Sequence, residues 1–111
     1  MFRFLFGEKI KPEVVAAYKW KIPDELDVSI KLSKDGGYFI AVKNLPGCIT
    51  QSETGRDIFE MVNDALYTYL KIPANYRIYM PTFFPPEDIR KEFNINIPQK
   101  FLGTSLVLQK T

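Results

Sequence analysis

From Leu26 to Ser33 apolar and polar residues alternate, Leu26, Val28, Ile30 and Leu32 against Asp27, Ser29, Lys31 and Ser33. This is the period of a strand with one face in a core and one in water. Lys34-Asp35-Gly36-Gly37 follows and supplies the glycines that a tight turn with positive φ requires. The next run, Tyr38-Phe39-Ile40-Ala41-Val42, is aromatic and β-branched, so the two runs flank the turn as the arms of a hairpin. Leu45-Pro46-Gly47 then has the residues of a type II turn, Pro fixing φ at its second position and Gly accepting positive φ at its third. A third strand, Cys48-Ile49-Thr50-Gln51, is expected after it.

Periodicity changes at Thr54, an N-cap residue, with Asp57 three positions on able to oppose the helix dipole. The spacing predicts a helix from about Gly55 to about Lys71, stopped by Pro73. Within it Ile58, Val62, Ala65, Leu66 and Tyr69 fall on one stripe, which packs on the sheet. Glu53, Asp57, Glu60 and Asp64 recur at four, three and four on the opposite side, an acidic outer face.

Past Pro73 the pattern predicts a strand at Tyr76-Arg77-Ile78-Tyr79-Met80, a Pro-rich link over residues 81–86 and a short helical turn from Glu87 to Phe93. Phe93-Asn94-Ile95-Asn96-Ile97 and Ser105-Leu106-Val107-Leu108 both alternate like strands, and one or both complete the sheet. Residues 1–25 form an N-terminal extension in which Val14-Val15-Ala16-Ala17 and Trp20 do not decide between helix and strand.

The string Asp35-Gly36-Gly37-Tyr38-Phe39-Ile40-Ala41-Val42-Lys43-Asn44-Leu45-Pro46-Gly47-Cys48-Ile49-Thr50-Gln51, followed by Thr54 and a helix, resembles the signature of the HicB-type antitoxins. In that family a Gly-Tyr strand, a Leu-Pro-Gly-Cys turn, a Thr-Gln strand end and a helix succeed one another. The resemblance implies an α+β domain over residues 26–111, with the signature in residues 26–70. Its fold would be partial RNase H-like, an antiparallel three-stranded sheet with one packed helix and a further strand. It implies a protein that neutralises a small RNA-cleaving toxin of the HicA type. Many members add a C-terminal domain that binds DNA. Here Asn94 to Ile97 is similar to the first element of a ribbon-helix-helix module, but fourteen residues follow Ile97 and its two helices are not among them, so DNA binding is not expected.

Composition adjusts this reading little. The chain has 111 residues, 46% hydrophobic and 25% charged, with nine Phe and six Tyr, which suits one globular domain with a single core. A net charge of +2 is too small to imply a nucleic-acid or membrane partner. Lys and Arg against Asp and Glu count five to four over residues 1–25, four to six over 26–70 and six to three over 71–111, so the middle is acidic and the tail basic. The lone Cys48 has no disulfide partner within the chain, Met1 to Phe6 is a short apolar run broken by Arg3, and no window is apolar enough to span a membrane. A cytoplasmic protein is expected.

Catalytic chemistry has little to work with. There is no His, so neither Ser nor Cys48 can have an imidazole base. The acids a two-metal nuclease would need, Asp27, Asp35, Glu53 and Asp57, fall on a polar strand face, in a turn and on the outer helix surface, and do not converge. No enzyme, cofactor or metal is expected. The expected function is a binding protein whose Glu53, Asp57, Glu60 and Asp64 meet a basic toxin, with the turn Leu45, Pro46 and Gly47 as a further contact. A homodimer through an exposed sheet edge is also expected. The alternative is a nucleic-acid-binding or regulatory module that uses Arg77, Arg90, Lys91 and Lys100.

Overall fold

The structure, a computed structural model, describes residues 10–95 and 97–110. Residues 1–9, with the Met1–Phe6 run, lie outside it, as does Asn96 within the alternating stretch 93–97. The chain opens with α1 (Pro12–Lys21), whose first position is taken by a proline, where the missing N–H costs nothing. Val14, Val15 and Tyr18 lean on the core, the Tyr18 ring lies 5.5 Å from that of Tyr76, and the Lys11 N–H donates to the Tyr76 hydroxyl at 3.2 Å.

β1 (Glu25–Leu32) and β2 (Tyr38–Val42) form the expected hairpin, with Ile30 opposite Ile40 and Leu32 opposite Tyr38. Gly36 and Gly37 take φ of 88° and 76° in its turn. At Gly37 an added Cβ would also stand 2.7 Å from the Ser52 carbonyl oxygen, so glycine is demanded twice over. Past Val42 the Asn44 side chain continues the β1 edge, accepting from the Asp27 N–H and donating to the Glu25 carbonyl. The Cys48 N–H donates to the Leu45 carbonyl at 2.9 Å across Pro46-Gly47, and β3 (Ile49–Ser52) follows.

α2 (Ile58–Tyr69) begins three residues later than the Thr54 signal indicates. Thr54 does not cap it; its hydroxyl donates to Asp57 Oδ2 at 2.8 Å, and the turn between them carries Gly55 against the Phe93 carbonyl and the Ile97 side chain, where a Cβ would not fit. The helix ends in a Schellman motif, with Ile72 N–H donating to Tyr67 C=O and Lys71 N–H to Thr68 C=O. Lys71 takes the left-handed φ of 58° that glycine usually fills.

Beyond Pro73 the expected strand at Tyr76–Met80 is instead α3 (Ala74–Arg77) and a following turn. The buried residues there, Ile72, Tyr76 and Met80, are four apart, a helical period. The Pro-rich link contains a two-residue strand, β4 (Phe83–Phe84). The alternating stretch after it is α4 (Glu87–Ile95), not a strand, since Phe93 and Ile97 also stand four apart with Ile89 four before. A 3₁₀ turn at Gln99–Phe101 leads to β5 (Ser105–Lys110), which is the strand expected there.

The sheet therefore runs β3-β2-β1-β5-β4, five strands with every pair antiparallel. The expected partial RNase H-like fold, with three strands, one helix and a further strand, is corrected to this five-stranded sheet and four α-helices among the described residues. The reason is β1: β5 pairs along its free side from Glu25 to Ser29, which leaves β5 an edge that β4 covers. Leu26, Val28, Ile30, Ile40, Val42, Leu106 and Leu108 form the inner face and are buried beneath Ile58, Val62 and Leu66 of α2. Each such side chain contributes about 1.5–3 kcal/mol on burial. Among the described residues no helix is long and apolar enough to cross a membrane.

Two substitutions check the backbone account by chemical denaturation. Gly37→Ala should cost more than Gly36→Ala, because only the first adds a clash with backbone to the strain of positive φ, each strained residue costing about 1–3 kcal/mol. Lys71→Gly should stabilise the protein by about 0.5–1 kcal/mol by removing the left-handed penalty.

Candidate partner-binding groove

α2 buries more of its circumference than an amphipathic helix on a sheet requires. Beside the stripe Ile58, Val62 and Leu66, a second stripe of Phe59, Asn63 and Tyr67 is buried toward the chain after Pro81. Tyr69, placed on the core stripe by its spacing, is instead 41% exposed and donates its hydroxyl to the Pro46 carbonyl at 2.8 Å.

Asn63 is the anchor of that second stripe. Its Nδ2 donates to the carbonyls of Phe59 and Phe83, and its Oδ1 accepts from the Phe83 N–H at 2.7 Å. One buried amide thus pairs with both backbone groups of Phe83, as a neighbouring strand would, and leaves no donor or acceptor of its own unmade. One turn on, the Tyr67 hydroxyl donates to the Pro81 carbonyl at 2.8 Å. Burial pushes the Tyr67 phenol up from its ordinary value, partly opposed by the Arg77 charge, so it stays protonated and able to donate. The Cys48 thiol is pushed up by burial alone, which disfavours its thiolate.

This clamp shapes a groove of about 600 Å³ between α2, β4 and α4. Phe59, Tyr67, Phe84 and Phe93 supply its aromatic lining, and the Phe59 and Phe93 rings meet at 4.9 Å, tilted by 45°. Asp57, Glu60 and Asp64 stand along one wall, and Arg56, Arg77 and Arg90 also line it. Arg77 is committed to Asp64 at 3.1 Å and to the Ile72 carbonyl, and Arg90 lies over the Phe84 ring at 3.8 Å. Such a groove can receive an apolar anchor flanked by charge.

Three of the four acids picked out by spacing meet here. Glu53 does not: it precedes the helix and lines a separate hollow of about 420 Å³ with Ser33, Tyr38 and Met61, at which Asp57 is shared. The turn Leu45, Pro46 and Gly47 lies at the other end of α2, bound by Tyr69, and lines neither hollow. The outer helix face is also less acidic than its own sequence indicates, because Arg77 arrives from α3 to pair with Asp64. Of the basic tail, Arg77 and Arg90 enter the groove and Lys100 sits over the Phe101 ring at 5.3 Å. Among the described residues no three His, Cys, Asp or Glu side chains are grouped to hold a metal.

The residues that reading the sequence missed are Asn63 and Phe59. An Asn in the middle of a helix, one position from the apolar stripe, was the available signal. Its partner twenty residues on could not be named without the fold.

Asn63→Leu fills the same space but abandons the Phe83 N–H and C=O, so it should cost about 1–3 kcal/mol and raise hydrogen exchange at Phe83. Tyr67→Phe should cost about 1 kcal/mol at neutral pH. Because the folded Tyr67 pKa is raised, its contribution is full below the ordinary value of 10.0 and is lost as pH rises through the folded value. Thermal melts should thus show a smaller alkaline decline in Tyr67→Phe than in the parent.

No family model matches this chain, and no solved structure matches it. A UPF0150 protein of Archaeoglobus fulgidus is 35% identical to it over 48 residues, covering 43% of this chain and 70% of that protein. With more than two thirds of that relative matched at this identity, the chain belongs to the UPF0150 family.

Proposed function

We propose that this protein is a non-catalytic, antitoxin-like binding protein that covers the active surface of a basic, RNA-cleaving toxin of the HicA type. The name of its UPF0150 relative states no activity, so the reading rests on the resemblance of residues 26–70 to the HicB signature and on one feature of the surface. That feature is the placement of Asp57, at the start of α2, and of Glu60 and Asp64, on its exposed face, beside an aromatic groove. A protein that grips RNA must carry cations where phosphates sit. An acidic helix steers to those cations and occupies their place, while the groove holds an apolar side chain between them. Burial of Cys48, which has no disulfide partner in the chain, suits action in the cytoplasm. A nucleic-acid-binding role has less support, since Arg77 is tied to Asp64 and Arg90 to Phe84.

Calorimetry with a HicA-type toxin, alongside its RNA cleavage, tests this reading. The parent protein should bind and suppress cleavage, and Glu60→Lys with Asp64→Lys should weaken binding by about tenfold or more, chiefly through the association rate at low salt. Binding that survives both reversals unchanged would overturn the role of the acidic stripe.

A further inference from the structure

Helix α1 is apolar on two sides. Val14, Val15 and Tyr18 face the core and Ile22 beyond the helix end is buried, while Glu13, Ala16, Ala17 and Trp20 share an opposite, exposed stripe. Trp20 is 91% exposed, and no residue of the helix is buried. A ten-residue helix is marginal in water by itself, and an indole left in water forfeits one of the largest burial gains a side chain can make. The outer stripe therefore has packing left to make.

We infer that a second copy of this chain docks on that stripe, α1 against α1 and antiparallel. The helix is charged for this arrangement, with Glu13 in its first turn and Lys19 and Lys21 in its last. A two-fold axis between Ala16 and Ala17 sets Ala16 against the second copy's Ala17 and Trp20 beside the second copy's Glu13. Each Glu13 then comes near Lys19 and near Lys21, whose ammonium lies 5.5 Å from its own Tyr18 ring and would swing outward to meet it, and the helix dipoles oppose. The parallel arrangement would set lysine against lysine. The small Ala16 and Ala17 side chains let the two backbones approach and leave room for the indoles at either end. The sheet edges are poorer sites: β4 is two residues between Pro81 and Pro85-Pro86, and β3 is four residues long. No residue lining the groove lies on α1, so this association stands or falls apart from toxin binding.

Trp20 is the chain's one tryptophan, so its emission reports on the stripe directly. The full-length protein is followed by sedimentation velocity and by Trp20 fluorescence through a dilution series. Dimers with blue-shifted emission should dissociate on dilution to monomers whose emission is that of an indole in water. Ala17→Arg, which keeps helix propensity, should raise the dissociation constant by about tenfold or more. Glu13→Lys should do likewise, and combining it with Lys19→Glu and Lys21→Glu should restore the dimer. Should Ala17→Arg fail to fold by circular dichroism, the charge exchange decides by itself. Monomers at every concentration would overturn the inference, and so would a dimer indifferent to Ala17→Arg with Trp20 still in water. Blue-shifted emission in a persistent monomer would assign the stripe to the chain's own residues 1–9. A blue shift only on anionic phospholipid vesicles would assign it to a lipid surface. Either of these also overturns the inference.

Discussion

A polar side chain in the core of a small domain has to find partners for every group it carries, and Asn63 finds them in the backbone of Phe83. That pairing attaches the chain after Pro81 to the side of α2 and lays Phe83-Phe84 along β5. The far edge of the sheet is thereby closed by a strand too short to stand alone, and Phe83 becomes one of the largest fully buried side chains. The Tyr67 hydroxyl on the Pro81 carbonyl holds the same segment one helical turn away. Both bonds come from the flank of α2 that a sheet-packed helix would leave in water.

The groove follows from this attachment. With β4 fixed to α2, helix α4 packs back through Phe93 onto Phe59 and Phe101, and the space between becomes an aromatic cleft walled by the acids of α2. Arg77 then has two effects. It neutralises Asp64 at the surface, and its charge over the Tyr67 ring at 5.8 Å moderates the effect of burial on that phenol. Charge along the groove is thus a property of three elements together, and Glu60 is the acid of α2 that the arginines engage least: Asp57 has Arg56 at 3.8 Å and Asp64 has Arg77 at 3.1 Å.

The two ends of the molecule are built on different terms. Around α2 and the sheet, apolar area is fully enclosed, and Ile58, Val62, Leu66, Leu26, Val28 and Ile30 are all without exposure. At α1 the helix is held by half-buried contacts and one ring pair with Tyr76, and its largest side chain faces outward. An element so weakly enclosed gains the least from packing and should be among the first to open.

The hairpin, the turn at Leu45-Pro46-Gly47, β3, β5 and the inner stripe of α2 were legible along the chain, because strand alternation, glycine at positive φ and the 3.6 period act between neighbours in sequence. Where one set of residues satisfied two periods, the chain did not decide. Phe93 and Ile97 alternate and also stand four apart, and Tyr76 to Met80 reads as a strand until Ile72, Tyr76 and Met80 are seen buried on one helical side. In α1 apolar residues on both faces cancel the amphipathic signal. Spacing set Asp57, Glu60 and Asp64 on one side of α2, but the groove beside them was not legible, since its far wall is brought in by Asn63 across twenty residues and its charge is altered by Arg77 across thirteen. Local pattern states which face of an element is apolar. Only the tertiary structure decides what that face meets, because the contacts that choose between two permitted periods, and that neutralise or expose a charge, come from residues distant in the chain.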